Sequence, residues 1–289
     1  MRDLAERFEA QRPHLRRVAY RMLGSLTEAE DAVQEAWFRL GRAGDVENLS
    51  AWLTTVVSRI CLDMLRSRKS RREDLVDRVP DGVENGDGPE EEAMLVESVG
   101  RALLVVLDRL PPAERVALVL HDTFAVPFDQ IAVVLERTPA AAKKLASRAR
   151  QRVRGTPALP EAELARHRHV VEAFLKAARE GDFEALLEAL APDVVRTADA
   201  AALRPGMPLR AQGADIVAKQ TVGFARRSRY AEVALVDGAV GVVVAPRGRL
   251  LFVLAATIAG DKITGYDVVA DPARLASLEL AVLGEEARI

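Results

Sequence analysis

Apolar residues recur at a spacing near 3.6 in HLRRVAYRML and again in AEDAVQEAWFRL, which predicts two amphipathic helices early in the chain. Thr27, followed three residues later by Glu30, reads as a capping box opening the second helix. Ser50 is the expected N-cap of a third helix running through AWLTTVVSRICLDMLRSR. The helical period returns after Pro111-Pro112 in AERVALVLHDTF, then in a short PFDQIAVVLER, then in AAAKKLASRARQRVR. Thr138 as N-cap and Pro139 at the first helical position mark the start of that last helix. Past the connector GTPALPEAE the pattern changes. ELARHRHVVEAFLKAARE and DFEALLEAL read as helices, Asp193 to Thr197 as a short strand, and Ala211 to Gly223 as a helix. RYAEVALVDG, AVGVVVAPRG, RLLFVLAATIAGD and KITGYDVVA then alternate β-branched runs with turn dipeptides such as Asp237-Gly238 and Gly260-Asp261. They predict an antiparallel meander, hence a compact α+β domain with a curved sheet.

The chain of 289 residues is 49% hydrophobic, enough for real cores. Its single cysteine, Cys61, excludes a disulfide framework and a Cys-rich zinc site, and it fits a reducing compartment. The N-terminus is charged throughout and the longest apolar run, Leu250 to Ala259, is about half of a membrane span, so a cytoplasmic protein with no membrane association is expected. The net charge of −2 conceals a sorted distribution. Residues 73–97 carry ten acids against one base, Arg78, and read as an acidic linker that turns helical near Glu90. From Arg137 to Arg154 there are seven bases and no acid.

The short helix, tight turn and capped basic helix make a helix-turn-helix whose second helix suits the DNA major groove. Leu145, Ala149 and Val153 share an inward face, which leaves Lys143, Lys144, Ser147, Arg148, Gln151 and Arg152 outward. Ala140 and Ala141 are small enough to let a groove wall approach. A solvated helix of an ordinary bundle would show a basic face too, though rarely one without any acid. The third helix offers a second basic end in Arg59, Arg66, Arg68, Lys69, Arg71 and Arg72, with Trp52 near its start as either a stacking platform or core. Catalytic signatures are poor. There is no nucleophile elbow, P-loop or dinucleotide fingerprint, and His167 and His169 fall on different helix faces. His169, Asp199, Asp215 and Asp267 have nothing to align them, so a structural role is favoured over a pocket, and no catalytic group, metal or cofactor is expected.

DAVQEAWFRL and NLSAWLTTVVSRICLDMLRSR resemble region 2 of the extracytoplasmic-function RNA polymerase sigma factors. LDRLPPAERVALVLHDTFAVPFDQIAVVLERTPAAAKKLASRARQRV resembles their region 4. The remainder looks like the SnoaL-like extension of the SigJ-type subgroup. The resemblance implies two all-α sigma domains, a helical region 2 bundle (1–72) and a helix-turn-helix region 4 (98–154), joined by the acidic linker (73–97). After a second linker (155–163) it implies a C-terminal α+β SnoaL-like cone-shaped barrel (164–289).

The family also implies partners, core RNA polymerase through its β′ clamp helices and β flap, and promoter DNA. By resemblance, Asp31, Gln34, Glu35 and Trp37 meet the polymerase. Asn48, Trp52, Arg59, Asp63 and Arg66 meet the −10-type element, and Ala140, Ala141, Lys143, Lys144, Ser147 and Arg148 the −35-type element. In the extension, Asp199-Ala200-Ala201-Ala202 with Arg204 stands where relatives carry a D-G-G-G-R-like motif. Asp271-Pro272-Ala273-Arg274-Leu275 stands for an N-P-D-K-L-like one. Asp199, Arg204, Asp271, Pro272 and Leu275 are thus the expected regulatory positions, in a domain acting in cis with an unidentified small ligand. The alternative is a one-component helix-turn-helix regulator with a small-molecule-sensing domain.

Overall fold

The computed structural model describes residues 2–43, 46–74, 96 and 99–283. Three helices open it: α1 (Arg2–Leu23), α2 (Leu26–Leu40) and α3 (Leu49–Asp74), each packed on the other two. Leu15, Val18, Tyr20, Ala29, Val33, Ala36, Leu53 and Val57 form their buried stripes, the 3.6 period made physical. Cys61 is core, and burial pushes its thiol pKa far up.

Two expected caps fall elsewhere. Gly24 ends α1 at φ 68°, a left-handed conformation natural to glycine. Ser25 is then extended and its Oγ accepts from the Glu28 amide at 3.4 Å, so Ser25 rather than Thr27 caps α2. At α3 the cap is Asn48, whose Oδ1 accepts from the Ala51 amide at 3.0 Å. Ser50 already lies inside the first turn and donates to Gln11 Oε1 at 3.1 Å.

The second helical block comprises α4 (Arg101–Arg109), α5 (Pro112–Leu118), a π-helical turn over Val119–Thr123, α6 (Phe128–Leu135) and α7 (Pro139–Arg154). Glu136 closes α6 at φ 54° and Thr138 opens α7, its Oγ1 accepting from the Ala141 amide at 3.2 Å. This is the turn of the helix-turn-helix. The acidic stretch expected before α4 lies, apart from the end of α3 and Val96, outside the described residues.

The chain divides into two compact units. One holds α1–α3 and Leu107–Arg152. The other holds the segment ending at Val106 and the chain from Val153 onward. Within the first, α3 packs against α5 and α6, so the two helical blocks share a core.

The second unit carries α8 (Glu161–Glu180), α9 (Phe183–Ala189), β1 (Leu190–Ala198), β2 (Arg210–Gln212), α10 (Ala214–Val222) and α11 (Ala225–Ser228). These precede β3 (Ala231–Val236), β4 (Ala239–Val244), β5 (Phe252–Ala259), β6 (Lys262–Val269), α12 (Pro272–Ser277) and β7 (Leu280–Ala281). The predicted meander is β3–β6. Its first turn, Asp237-Gly238, has positive φ at both residues (51° and 80°), the primed geometry that matches strand twist.

The strand order is β2-β1-β6-β5-β4-β3-β7, antiparallel throughout except for the parallel β1–β6 pair. The sheet is open, which corrects the closed barrel expected from the sequence. Its edge strands span only three and two residues and do not pair with each other, while α8, α9 and α10 cover one face instead. Between those helices and the sheet lies a cavity of about 90 Å³, walled by Phe174, Phe252, Val242 and Tyr266 among others.

Candidate nucleic-acid interface

Helix α7 has one apolar face. Ala142, Ala146, Ala149 and Val153 are buried and Leu145 is half-buried, so the inward stripe is the expected one extended by two alanines. Small residues there let α7 sit close to its neighbours. Lys143, Lys144, Ser147, Arg148 and Ala140 are exposed, and Ala141 is half-buried. The five exposed residues and Ala141 occupy the first three turns of the helix, the end that a recognition helix presents to base edges.

Not every base of α7 points outward. Arg150 holds Asp122 in a bidentate pair, 2.6 Å at both oxygens, with Asp122 placed by the π-helical turn. That pairing raises the Arg150 pKa further. Arg152 is exposed as expected, yet its Nη1 donates to the buried Glu114 at 2.7 Å, so it also anchors α7.

On α3, Trp52, Arg59, Asp63 and Arg66 follow one another at helical spacing along a single stripe, with Asn48 at its N-terminal end. Trp52 is half-buried, Asp63 and Arg66 are exposed and pair at 3.5 Å, and the Asn48 oxygen is engaged in capping. Arg59 is half-buried, and its Nη2 donates to the Val133 carbonyl of α6 at 2.7 Å. Arg68, counted among the basic positions of α3, turns inward to Glu28, Asp108 at 3.4 Å and the Leu23 carbonyl at 3.2 Å. Asp108 also holds the fully buried Arg115 at 3.2 Å.

On α2, Asp31 and Gln34 are exposed and Glu35 is half-buried, paired with Arg39 at 2.8 Å. Trp37 packs on Phe8, ring centroids 4.9 Å apart, which makes it a support for this face. The sequence reasoning missed Phe38, 52% exposed on the same outer face and three to four positions from Gln34 and Glu35. An aromatic out of phase with the buried stripe was the available signal.

In the second unit the two motif segments meet. The Asp199 carboxylate accepts the amides of Ala270 (3.0 Å) and Asp271 (2.9 Å) and pairs with Arg274, whose other nitrogen reaches Asp267 at 2.6 Å. Burial works to raise the Asp199 pKa, yet the Asp271 amide, Arg274 and the Ala270 amide together hold it below the usual carboxylate range. Asp271 caps α12 by accepting from the Arg274 amide at 2.9 Å, Pro272 starts that helix, and Leu275 is its buried residue. Arg204 lies apart, over the Phe224 ring and donating to the Gly223 carbonyl at 3.3 Å. None of His169, Asp199, Asp215 and Asp267 lines the cavity.

Comparison with known proteins gives the family of the helical blocks. Residues 7–71 match the Sigma-70 region 2 family and residues 100–153 the Sigma-70 region 4 family. The chain is 41% identical over 250 residues to the ECF RNA polymerase sigma factor SigJ of Mycobacterium tuberculosis, covering 82% of this chain and 80% of the relative. It is 36% identical over 284 residues to SigI of the same species, named a probable ECF RNA polymerase sigma factor, covering 96% of each. The crystal structure of the Mycobacterium tuberculosis sigma factor SigJ aligns over 94% of this chain and 98% of its own at 35% identity, with a TM-score of 0.47. With a helix-turn-helix matching region 4, an α1–α3 bundle matching region 2 and relatives sharing most of its length, the chain belongs to the extracytoplasmic-function RNA polymerase sigma factors of the SigJ type, which direct transcription initiation at promoters.

Proposed function

We propose that the outer face of α2, with Asp31, Gln34 and Glu35 supported by Trp37, docks on the β′ clamp helices of core RNA polymerase, and that the region 4 block meets the β flap. The α3 stripe of Asn48, Trp52, Arg59, Asp63 and Arg66 then engages the −10-type element. The exposed residues of α7, with Ala141, enter the major groove of the −35-type element. Lys143, Lys144 and Arg148 meet phosphates or guanine edges, Ser147 takes a polar contact, and the alanines allow close approach. The protein acts in the cytoplasm as an initiation factor, and its C-terminal domain regulates it in cis. Asp199, Asp271, Pro272, Leu275 and Arg204 belong to that regulation by shaping the domain, since their contacts are capping, packing and ion pairing.

The observation that carries this reading is the sorting of charge on α7. Arg150 and Arg152 are tied to Asp122 and Glu114, and Lys143, Lys144 and Arg148 stay exposed. Size-exclusion chromatography of the full chain with purified core polymerase tests it. Stoichiometric co-elution, lost on Gln34→Arg with Glu35→Arg, is expected, and separate elution of the unaltered chain from core overturns it.

A further inference from the structure

Strand β1 places Val194, Arg196 and Ala198 on its buried side, so a guanidinium stands where the alternation calls for an apolar residue. Arg196 is only 3% exposed. Its Nη1 donates to the carbonyls of Pro208 (3.0 Å) and Leu209 (3.4 Å), and its Nη2 to Gln220 Oε1 at 2.7 Å. All of these acceptors are neutral. No carboxylate among the described residues pairs with this charge, whereas the other buried guanidinium, Arg115, has Asp108. A buried cation without a counter-ion is costly, and an anion supplied from outside would offset that cost.

The place for such an anion is the cavity, because Arg196 and Gln220 line it. Tyr266, directly opposite Arg196 in the β1–β6 register, adds a hydroxyl 3.1 Å from Thr221 Oγ1, and both residues also face the cavity. The rest of the wall is apolar, with Phe174, Phe252 and Leu254 prominent. About 90 Å³ of space holds roughly six to nine water-sized groups at about 10–15 Å³ each.

We propose that this cavity binds a small organic monocarboxylate with an apolar body, its carboxylate directed at the Arg196–Gln220–Tyr266 corner and its body against the aromatic wall. A single planar anion matches one guanidinium, which presents its donors as a fork. At the Arg196–Gln220–Tyr266 corner the cation is Arg196, and the other arginine of the wall, Arg227, stands beside the Phe224 ring. This inference is independent of the polymerase and promoter contacts proposed above.

The test is calorimetric titration of the full chain with benzoate and hexanoate, each set against its neutral alcohol, benzyl alcohol and 1-hexanol. Both acids have a charge and a body of the required size. Saturable binding of at least one carboxylate, about tenfold or more tighter than its alcohol, is expected. In Arg196→Met the preference disappears and the alcohol binds as well as before. The charged-against-neutral comparison on the unaltered chain decides the matter even if that variant fails to fold. Equal affinity for acid and alcohol, or no saturable binding of either carboxylate up to about 10 mM, overturns the proposal.

Discussion

The Arg59 guanidinium donates to the Val133 carbonyl at 2.7 Å, tying α3, the helix proposed to engage the −10-type element, to the first helix of the helix-turn-helix. Both residues lie within one compact unit in which α3 packs directly on α6. Elements centred near −10 and −35 are roughly 25 base pairs apart, or about 85 Å at 3.4 Å per pair. A single packed unit does not span that distance, so the proposed contacts require α3 and α7 to separate before both elements are held. Fluorescent labels on exposed positions of α3 and α7 should give efficient energy transfer in the free chain and little in a promoter-bound holoenzyme. High transfer in both states contradicts this.

Lys144 and Arg148 stand exposed on α7, and neither has a partner on the protein among the described residues. Each phosphate contact they make contributes close to one unit to the salt dependence of binding. Lys144→Ala with Arg148→Ala should weaken holoenzyme binding to a −35-type duplex and flatten the plot of log affinity against log salt by about 2. The measurement is fluorescence anisotropy over a salt series. Unchanged slope removes both residues from the phosphate contacts.

Asp108 is the counter-ion for Arg115, which is 1% exposed, and it also meets Arg68. Burial pulls the Arg115 pKa down to about 10 even though Asp108 works to raise it. The charge is therefore present at neutral pH and costs stability there, a cost relieved only as the pH rises past that value. Asp108→Ala strands it. We expect a loss of about 3 kcal/mol in urea unfolding at pH 7, and a change below about 0.5 kcal/mol would contradict the role given to the pair.

Asp199 has a depressed pKa, so the sign of its pH dependence is set. Its stabilisation is complete above the ordinary carboxylate range and is lost as the pH falls from about 4 through the lower folded value. Asp199→Asn keeps the size but weakens the hold on the Ala270 and Asp271 amides and on Arg274. The variant should melt earlier than the parent at pH 7, and the gap should shrink as the pH is taken down to about 3. A constant gap would place the effect outside this carboxylate.

The sequence showed local features well and distant partners poorly. Thr138 and Pro139 are legible because a cap and its helix are adjacent in the chain. Ser25 was missed because the start of α2 depends on where Gly24 ends α1, a matter of one backbone conformation. The inward face of α7 followed from spacing alone, but the pairing of the exposed Arg152 depends on Glu114, thirty-eight residues away. The meander was visible in its β-branched runs and turns, whereas closure depends on whether edge strands pair, and β2 and β7 are too short to announce themselves. Arg196 was overlooked for a similar reason. Its burial appears only once β1 is in register with β6, and a base inside DVVRTA otherwise reads as a surface residue.

The most direct measurement of the central claim is run-off transcription with purified core polymerase and the full chain on a promoter template recovered by selection with the reconstituted holoenzyme. The account predicts a transcript of defined start that requires the chain and falls at least tenfold when Lys144 and Arg148 are both replaced by alanine. A transcript no different from that of core polymerase alone would contradict it.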